Sequence, residues 1–384
     1  MERGLRGYND QAVLRTPTEP SGETPISPNR PVLPSRILSD SIASLLRLEP
    51  PASDGPRDAL DASLKRYECG GYLHRLWRST RQLETLPSAW ARALARAHRK
   101  TALDNLEALA EFRAVGQHLI DERVPFILLK GGAYLIDLYD DPGERLLTDI
   151  DLLVQRDDIK RLARRLSSVG YDIVVSDREF RRFEVKARGG LGCHFEFHWW
   201  LGRPLRSRIS QDEIWARATP ALLEGVSCLR LSPEDALLYH VAHQADHLFG
   251  PSLKWTIDLR EMFIRWRLDL ERLRLRAAEW RLRVALCLAL RHLDKLFPGA
   301  APSGLRKGAA IGSIRRRLLV PFLTSDSTQM LAPPDGFLSR VAMQGLLIDR
   351  PIDVVRQSLR VLVRPIAQIL GRGTSVAPPW DAFD

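Results

Sequence analysis

The sequence predicts an α+β protein in which a small mixed sheet is flanked by N-terminal and C-terminal helical regions. Between residues 126 and 200, short apolar or alternating runs bounded by glycine read as strands. On both sides of that interval apolar residues recur at three- and four-residue spacing over longer stretches, which marks amphipathic helices. Strands gathered in the middle, with helices massed at the ends, make an α+β core spanning roughly 121–205.

Taken in order, residues 1–35 carry prolines at 17, 20, 25, 28, 31 and 34. Each removes a backbone donor and blocks helix, so an extended or disordered arm is expected. Residues 36–120 form the N-terminal helical region, with helices predicted over 36–48, 58–80 and from Pro87 to about Glu122. In the last of these, Trp90, Leu94, Leu103, Leu106, Leu109, Phe112 and Leu119 fall at helical spacing and are expected to face inward. Only Arg123-Val124-Pro125 separates that helix from the apolar run Phe126-Ile127-Leu128-Leu129, a short buried strand.

The strand stops at Lys130-Gly131-Gly132, followed by a predicted helix over 133–139 and a turn at Asp140-Asp141-Pro142-Gly143. A second strand carries Asp149-Ile150-Asp151. After it, Asp157-Asp158 is placed to cap a helix that ends at Gly170. Strand-like runs follow at 171–176, 180–187 and 193–200, the last two joined through Arg188-Gly189-Gly190. The region 206–330 is read as the C-terminal helical region. Ser232-Pro233 caps a helix reaching about Phe249, and further helices are predicted over 252–270, 276–296 and 303–324. Residues 331–384 hold proline-interrupted amphipathic helices and a loose tail.

Composition sets limits. A chain of 384 residues with 45% hydrophobic content has ample material for a sizeable core. It lacks an apolar run of membrane-spanning length, and its first residues do not begin a signal peptide, so the cytoplasm is the default location. Cys69, Cys193, Cys228 and Cys287 have no metal-type spacing and are expected as reduced, mostly buried thiols. The net charge of +10 invites a nucleic-acid partner. Only eight of the 57 basic residues are lysines, however, and the excess is spread along the chain, so that partner is not favoured.

The chemistry concentrates in 126–154. Along a strand, side chains alternate faces, so Asp149 and Asp151 point one way and Ile150 the other. Two carboxylates side by side repel unless a cation lies between them, and a hard divalent ion is the usual answer. A glycine turn beside them can bring bare backbone close to a phosphate. On the strand ending at Trp200, His194, Glu196 and His198 share one face and Phe195 and Phe197 the other. Glu196 therefore has a polar face, whereas Glu184 sits between Arg182 and Lys186 in an ordinary ion-pair pattern. The spacing His194-x-Glu196-x-His198 is a minor zinc alternative, with His198 better read as a support behind Glu196. His240, His243 and His247 lie on one helix face, either lining a substrate or nucleotide site or making a domain contact. Lys254 and Asp258, four apart, read first as an intrahelical ion pair, with a cleft-facing role as the alternative. Arg315, Arg316, Arg317, Arg356, Arg360 and Arg364 read as a solvated face or a helix-packing edge rather than a contact with nucleic acid or an anionic membrane.

The stretches Leu129-Lys130-Gly131-Gly132 and Arg145 to Val154, with Thr148-Asp149-Ile150-Asp151 at their centre, resemble a family of largely uncharacterised bacterial nucleotidyltransferases of the polymerase-β-type superfamily. Glu196-Phe197-His198-Trp199 and Lys254-Trp255-Thr256-Ile257-Asp258-Leu259 are similar to its downstream motifs, and the resemblance covers about 85–330. It implies Asp149, Asp151 and Glu196 as catalytic and metal-binding acids, glutamate standing where aspartate is commoner. It implies Lys130, Gly131, Gly132 and Arg145 around the nucleotide, with Mg2+ or Mn2+ as cofactor and an NTP, by default ATP, as donor.

The expected reaction moves a nucleoside monophosphate from the NTP to an unknown acceptor and releases pyrophosphate. The rival expectation is a catalytically silent nucleotide-binding or regulatory protein on the same fold. Nothing in the sequence names the acceptor, the base or the oligomeric state.

Overall fold

A computed structural model of the chain describes residues 35–51, 57–177, 182–187, 192–203, 205–250, 252–308, 311–324, 326, 328–331 and 337–356. The proline-rich arm, the 188–190 turn, Arg360, Arg364 and the tail lie outside these residues.

The N-terminal helices are α1 (Ser35–Leu46), α2 (Arg57–Tyr67), α3 (Gly70–Ser79) and α4 (Ser88–Asp121). The single helical region predicted over 58–80 is two helices, because Glu68 takes a φ of 52° in the left-handed region. The 34 residues of α4 bury Trp90, Ala93, Leu94, Thr101, Asn105, Ala108, Leu109, Phe112, Val115 and Leu119 at helical spacing. Leu103 and Leu106, expected inward, are 64% and 53% exposed. The buried stripe takes Thr101 and Asn105 in their place, since Asn105 has polar work inside. α4 stops where Arg123 turns to φ 53° and Val124 N–H donates back to Leu119 O at 2.8 Å. That turn delivers the chain directly into the sheet.

The middle of the chain supplies β1 (Phe126–Leu129), α5 (Lys130–Tyr134), β2 (Asp149–Val154), α6 (Ile159–Ser168), β3 (Tyr171–Asp177), β4 (Arg182–Ala187) and β5 (His194–His198). Next come α7 (Gln211–Arg217), β6 (Thr219–Leu223) and β7 (Val226–Arg230). The sheet order is β3-β4-β5-β2-β1-β7-β6, with β1 antiparallel to β2 and β2 parallel to β5. Strands β6 and β7 were not expected within a region read as helical. They form a hairpin that docks parallel on β1 through Ile127–Leu229 and Leu128–Arg230. The helix expected over 133–139 begins instead at Lys130 and ends at Tyr134. Asp158 does not cap α6 with its side chain; Arg161 pairs with that carboxylate.

Four fully buried residues make β1, and each contributes roughly 1.5–3 kcal/mol by leaving water. The alternation of strand side chains divides the core in two. Phe126, Leu128, Ile150, Leu152, Val154, Phe183, Phe195 and Phe197 pack under α4 and α6, with Phe183 and Phe197 stacked at 4.9 Å. On the other face Ile127, Leu129 and Leu153 join the larger helical core.

That core is built by α8 (Pro233–Asp246), α9 (Lys254–Arg265), α10 (Leu270–Glu279), α11 (Arg283–Leu296), α12 (Ser303–Gly308), α13 (Ser313–Leu319) and α14 (Phe337–Leu346), together with α1–α3. The Ser232 cap is as expected, its hydroxyl accepting from Asp235 N–H. The helix predicted over 276–296 is interrupted at Arg281, where φ is 60°. Cys69, Cys228 and Cys287 are buried and Cys193 half-buried, and all four are free. Among the described residues no helix is long and apolar enough to cross a membrane.

Candidate active site

The site starts from register. β2 pairs with β5 so that Asp149 lies opposite His194 and Asp151 opposite Glu196, while Leu129 of β1 faces Asp151 from the other side. Because the strand period is two, Asp149, Asp151 and Glu196 fall on the face turned toward the helical core, and Ile150, Phe195 and Phe197 on the other. Glu184 lies opposite Glu196 on β4, and Arg182 bonds Glu196 while lying 3.8 Å from Glu184.

Lys130 does not follow the alternation of the strand before it. Its φ of 45° turns the chain into α5 and brings Nζ to 2.7 Å from Asp151 Oδ1. His198 Nε2 lies 2.8 Å from the same oxygen and 3.4 Å from Glu196 Oε2. His198 therefore touches both carboxylates directly rather than standing behind Glu196. Burial alone would push Asp151 up, but Lys130 and His198 hold its carboxyl far below the usual range. Burial likewise opposes charge on Glu196 and on His198. Their mutual contact lowers the first, and contacts with Asp151 and Glu196 raise the second. Asp149 differs: burial and the neighbouring Asp151 charge push it up, and Thr148 Oγ1 donates to it at 2.9 Å.

Asp151, Glu196 and His198 each offer a ligand atom, all within 4.8 Å of one another. Two carboxylates and an imidazole converging in a buried site are a donor set that fits a divalent cation. This group differs from the expected trio: His198 joins it, and Asp149 lines the same cavity alongside.

Arg145 lines the same cavity as the carboxylates and is anchored from behind. Its guanidinium is buried against Asp258, with Nη2–Oδ2 at 3.0 Å and Nε–Oδ1 at 3.1 Å, and Nη1 donates to Leu146 O at 3.1 Å. Asp258 also accepts from Tyr139 OH at 2.6 Å. Asp258 therefore pairs across the fold instead of with Lys254, because α9 presents it to the loop that carries Asp149. Gly131 lies under Arg145, where an added Cβ would meet Nη1 at 2.1 Å. Gly131 also lines the cavity; Gly132 faces Leu128 and Ile150 in the core. Asn105 of α4 clamps the same loop, donating to Pro142 O and Arg145 O at 2.6 Å each and accepting from Leu147 N–H at 2.9 Å.

These groups enclose a cavity of about 490 Å³ whose walls include Lys130, Asp149, Asp151, Arg182, Glu196 and Lys254. Lys254 Nζ reaches Glu68 Oε1 at 3.2 Å and Thr148 Oγ1 at 3.3 Å. Burial and the nearby Arg145 push its ammonium down. His240, His243 and His247 all line this cavity, so the cleft-facing expectation describes their position. Glu68 also borders a second cavity of about 740 Å³ between α2, α3 and α4, which Glu144 and Leu146 line from the loop. A larger hollow of about 920 Å³ among α10, α11, α13 and α14 contains none of the carboxylates. Glu68, Asn105 and Trp255 gave no individual signal in the sequence. Arg182 was visible only as a neighbour of Glu184.

A mixed sheet that sets buried carboxylates beside a glycine turn, walled by helices, is the frame of a nucleotidyltransferase. A family model described as uncharacterised nucleotidyltransferase matches residues 58–298, more than half of the chain, and the protein belongs to that family. No curated protein matches the sequence. Among solved structures, the lincosamide antibiotic adenylyltransferase LnuA bound to lincomycin is similar at 15% identity and a TM-score of 0.29, over 40% of this chain and 94% of that one. ANT(2'')-Ia in complex with adenylyl-2''-tobramycin gives 15% identity and a TM-score of 0.31, over 44% and 95%. An antigenic nucleotidyltransferase-like protein from Paracoccidioides brasiliensis gives 17% and 0.33, over 55% and 97%. At these scores the family match, not the structural likeness, carries the assignment.

Proposed function

We propose that this nucleotidyltransferase transfers a nucleoside monophosphate from an NTP, with ATP as the default donor, to an acceptor hydroxyl or phosphate, releasing pyrophosphate. The observation that carries this reading is the β2–β5 register, which gathers Asp149, Asp151 and Glu196 on one face of one cavity with Lys130 and Lys254 in its wall. Asp151, Glu196 and His198, with Asp149 alongside, would hold Mg2+ or Mn2+. Such a cation would stabilise the charge that develops on phosphate oxygens during transfer. Lys130 and Lys254 supply fixed positive charge for the triphosphate. Asp149 is the carboxylate without a basic side chain bonded to it among its described hydrogen bonds, and its raised pKa suits it to accept the proton of an acceptor hydroxyl. Gly131 keeps the approach to the cavity free of side chain. Arg145 serves the reaction by holding the loop that carries Asp149.

One observation favours the silent alternative. Lys130, Arg182 and His198 already contact the carboxylates, so the cluster can stand without a cation.

Calorimetry separates the two readings. Wild-type protein is expected to bind ATP in Mg2+ and lose that binding in EDTA, and Asp149→Asn to weaken it while remaining folded. Label from α-phosphate-labelled ATP should pass into small molecules of a cell extract. Metal-independent ATP affinity, unchanged in Asp149→Asn and with no transfer, would establish the silent protein instead.

A further inference from the structure

Apart from Gly131 and the buried His240, whose ring nitrogens are taken by Tyr134 and Trp255 O, the cavity wall is charged or hydroxyl-bearing everywhere except at one place. There His243 in the last turn of α8 and His247, the residue that caps its C-terminus, meet Trp255 at the start of α9. Ring centroids lie 5.0 Å apart for His243–Trp255, 5.1 Å for His247–Trp255 and 4.5 Å for the two imidazoles. Trp255 is half-buried, and its backbone is pinned: Trp255 O accepts from Gln244 Nε2 at 2.9 Å and lies 2.7 Å from His240 Nε2. Both anchoring side chains are buried.

We propose that Trp255, with His243 and His247, is the nucleobase platform of this site, and that it takes a purine in preference to a pyrimidine. The inference rests on the nucleotide reading above and adds the base-binding residues to it. A nucleoside triphosphate has one flat apolar part and one polyanionic part. The carboxylates, Lys130 and Lys254 belong with the second, and these three rings are the remaining surface that matches the first. Burial, reinforced by the Lys130 charge, pushes both imidazoles below their usual range, so the platform is uncharged near neutral pH. Stacking area grows from pyrimidine to purine, which sets the order of preference.

Calorimetry on the full chain in Mg2+ with ATP, CTP and inorganic tripolyphosphate tests this. Wild type should bind ATP more tightly than CTP. Trp255→Ala should weaken ATP on the order of ten-fold and leave tripolyphosphate unchanged, and Trp255→Phe should restore most of the ATP affinity. ATP binding undiminished in Trp255→Ala, or parallel loss of ATP and tripolyphosphate in both variants, would overturn the platform. Wild-type protein that binds none of the three would overturn the nucleotide reading and the platform with it.

Discussion

Arg145 and Asp258 form a fully buried ion pair, 3.0 Å from Nη2 to Oδ2, that ties the loop before β2 to the middle of α9. The two residues stand 113 apart in sequence, and the pair is how the C-terminal helices hold the carboxylate-bearing strand. Removing one partner leaves the other charge buried without compensation. Asp258→Ala is therefore expected to lose roughly 3–5 kcal/mol in urea unfolding. A loss below about 1 kcal/mol would mean that the Asn105 clamp holds the loop without the pair.

Asn105 satisfies three backbone groups of the same loop with one side chain. Asn105→Leu keeps approximate volume and strands those groups, at about 1–3 kcal/mol for each one left unpaired. Denaturation should show a loss of several kcal/mol. Amide exchange at Leu147 should accelerate, because its N–H loses its acceptor.

Gly131→Ala forces a Cβ against the Arg145 guanidinium, whose Nη1 it would approach to 2.1 Å. The guanidinium is held by Asp258 and cannot swing away freely, so a loss of about 1–3 kcal/mol is expected. Gly304 in α12 has nothing within 4 Å of the same added atom. Gly304→Ala should change stability by no more than about 0.5–1 kcal/mol, in the stabilising direction. Equal effects at the two positions would contradict the close packing at Gly131.

His292 of α11 is fully buried, with Thr256 Oγ1 at 3.2 Å and Thr328 O at 3.1 Å from its ring nitrogens. Burial pushes its pKa down from 6.5 to about 4. The folded state thus favours the neutral ring. Its contribution is fully present above the unfolded value of 6.5 and is lost as pH falls from there toward about 4. The loss should approach ~3 kcal/mol at the acid end. Comparing thermal stability at pH 7.5 and pH 5 should show a fall in wild type that His292→Gln reduces in part, since burial also lowers His74, His240, His243 and His247.

Much of the carboxylate cluster was legible in the chain because local rules suffice for it. Alternation along β2 puts Asp149 and Asp151 on one face, and alternation along β5 puts Glu196 there without Phe195 or Phe197. The long helix feeding β1 was legible from spacing alone, apart from Leu103 and Leu106. Those two are exposed, and the buried stripe runs instead through Asn105, whose amide clamps the loop before β2. The β6–β7 hairpin was not legible. Its stability comes from docking on β1, a partner some 100 residues away, and short strands carry little periodic signal.

By itself the sequence determined the α+β class, the helical flanks, the candidate residues for phosphate and metal chemistry, and the face each shares along its own strand. These follow from periods of 2 and 3.6 residues and from glycine, proline and capping chemistry, all of which act within a few positions. Tertiary structure alone decided the pairings. Lys130 turns to Asp151, His198 joins the carboxylates, Arg145 goes to Asp258, and Trp255 meets His243 and His247. Each of these depends on which distant element packs against which, and the low dielectric of the buried site then fixes the partners, because a buried charge without one is too costly to keep.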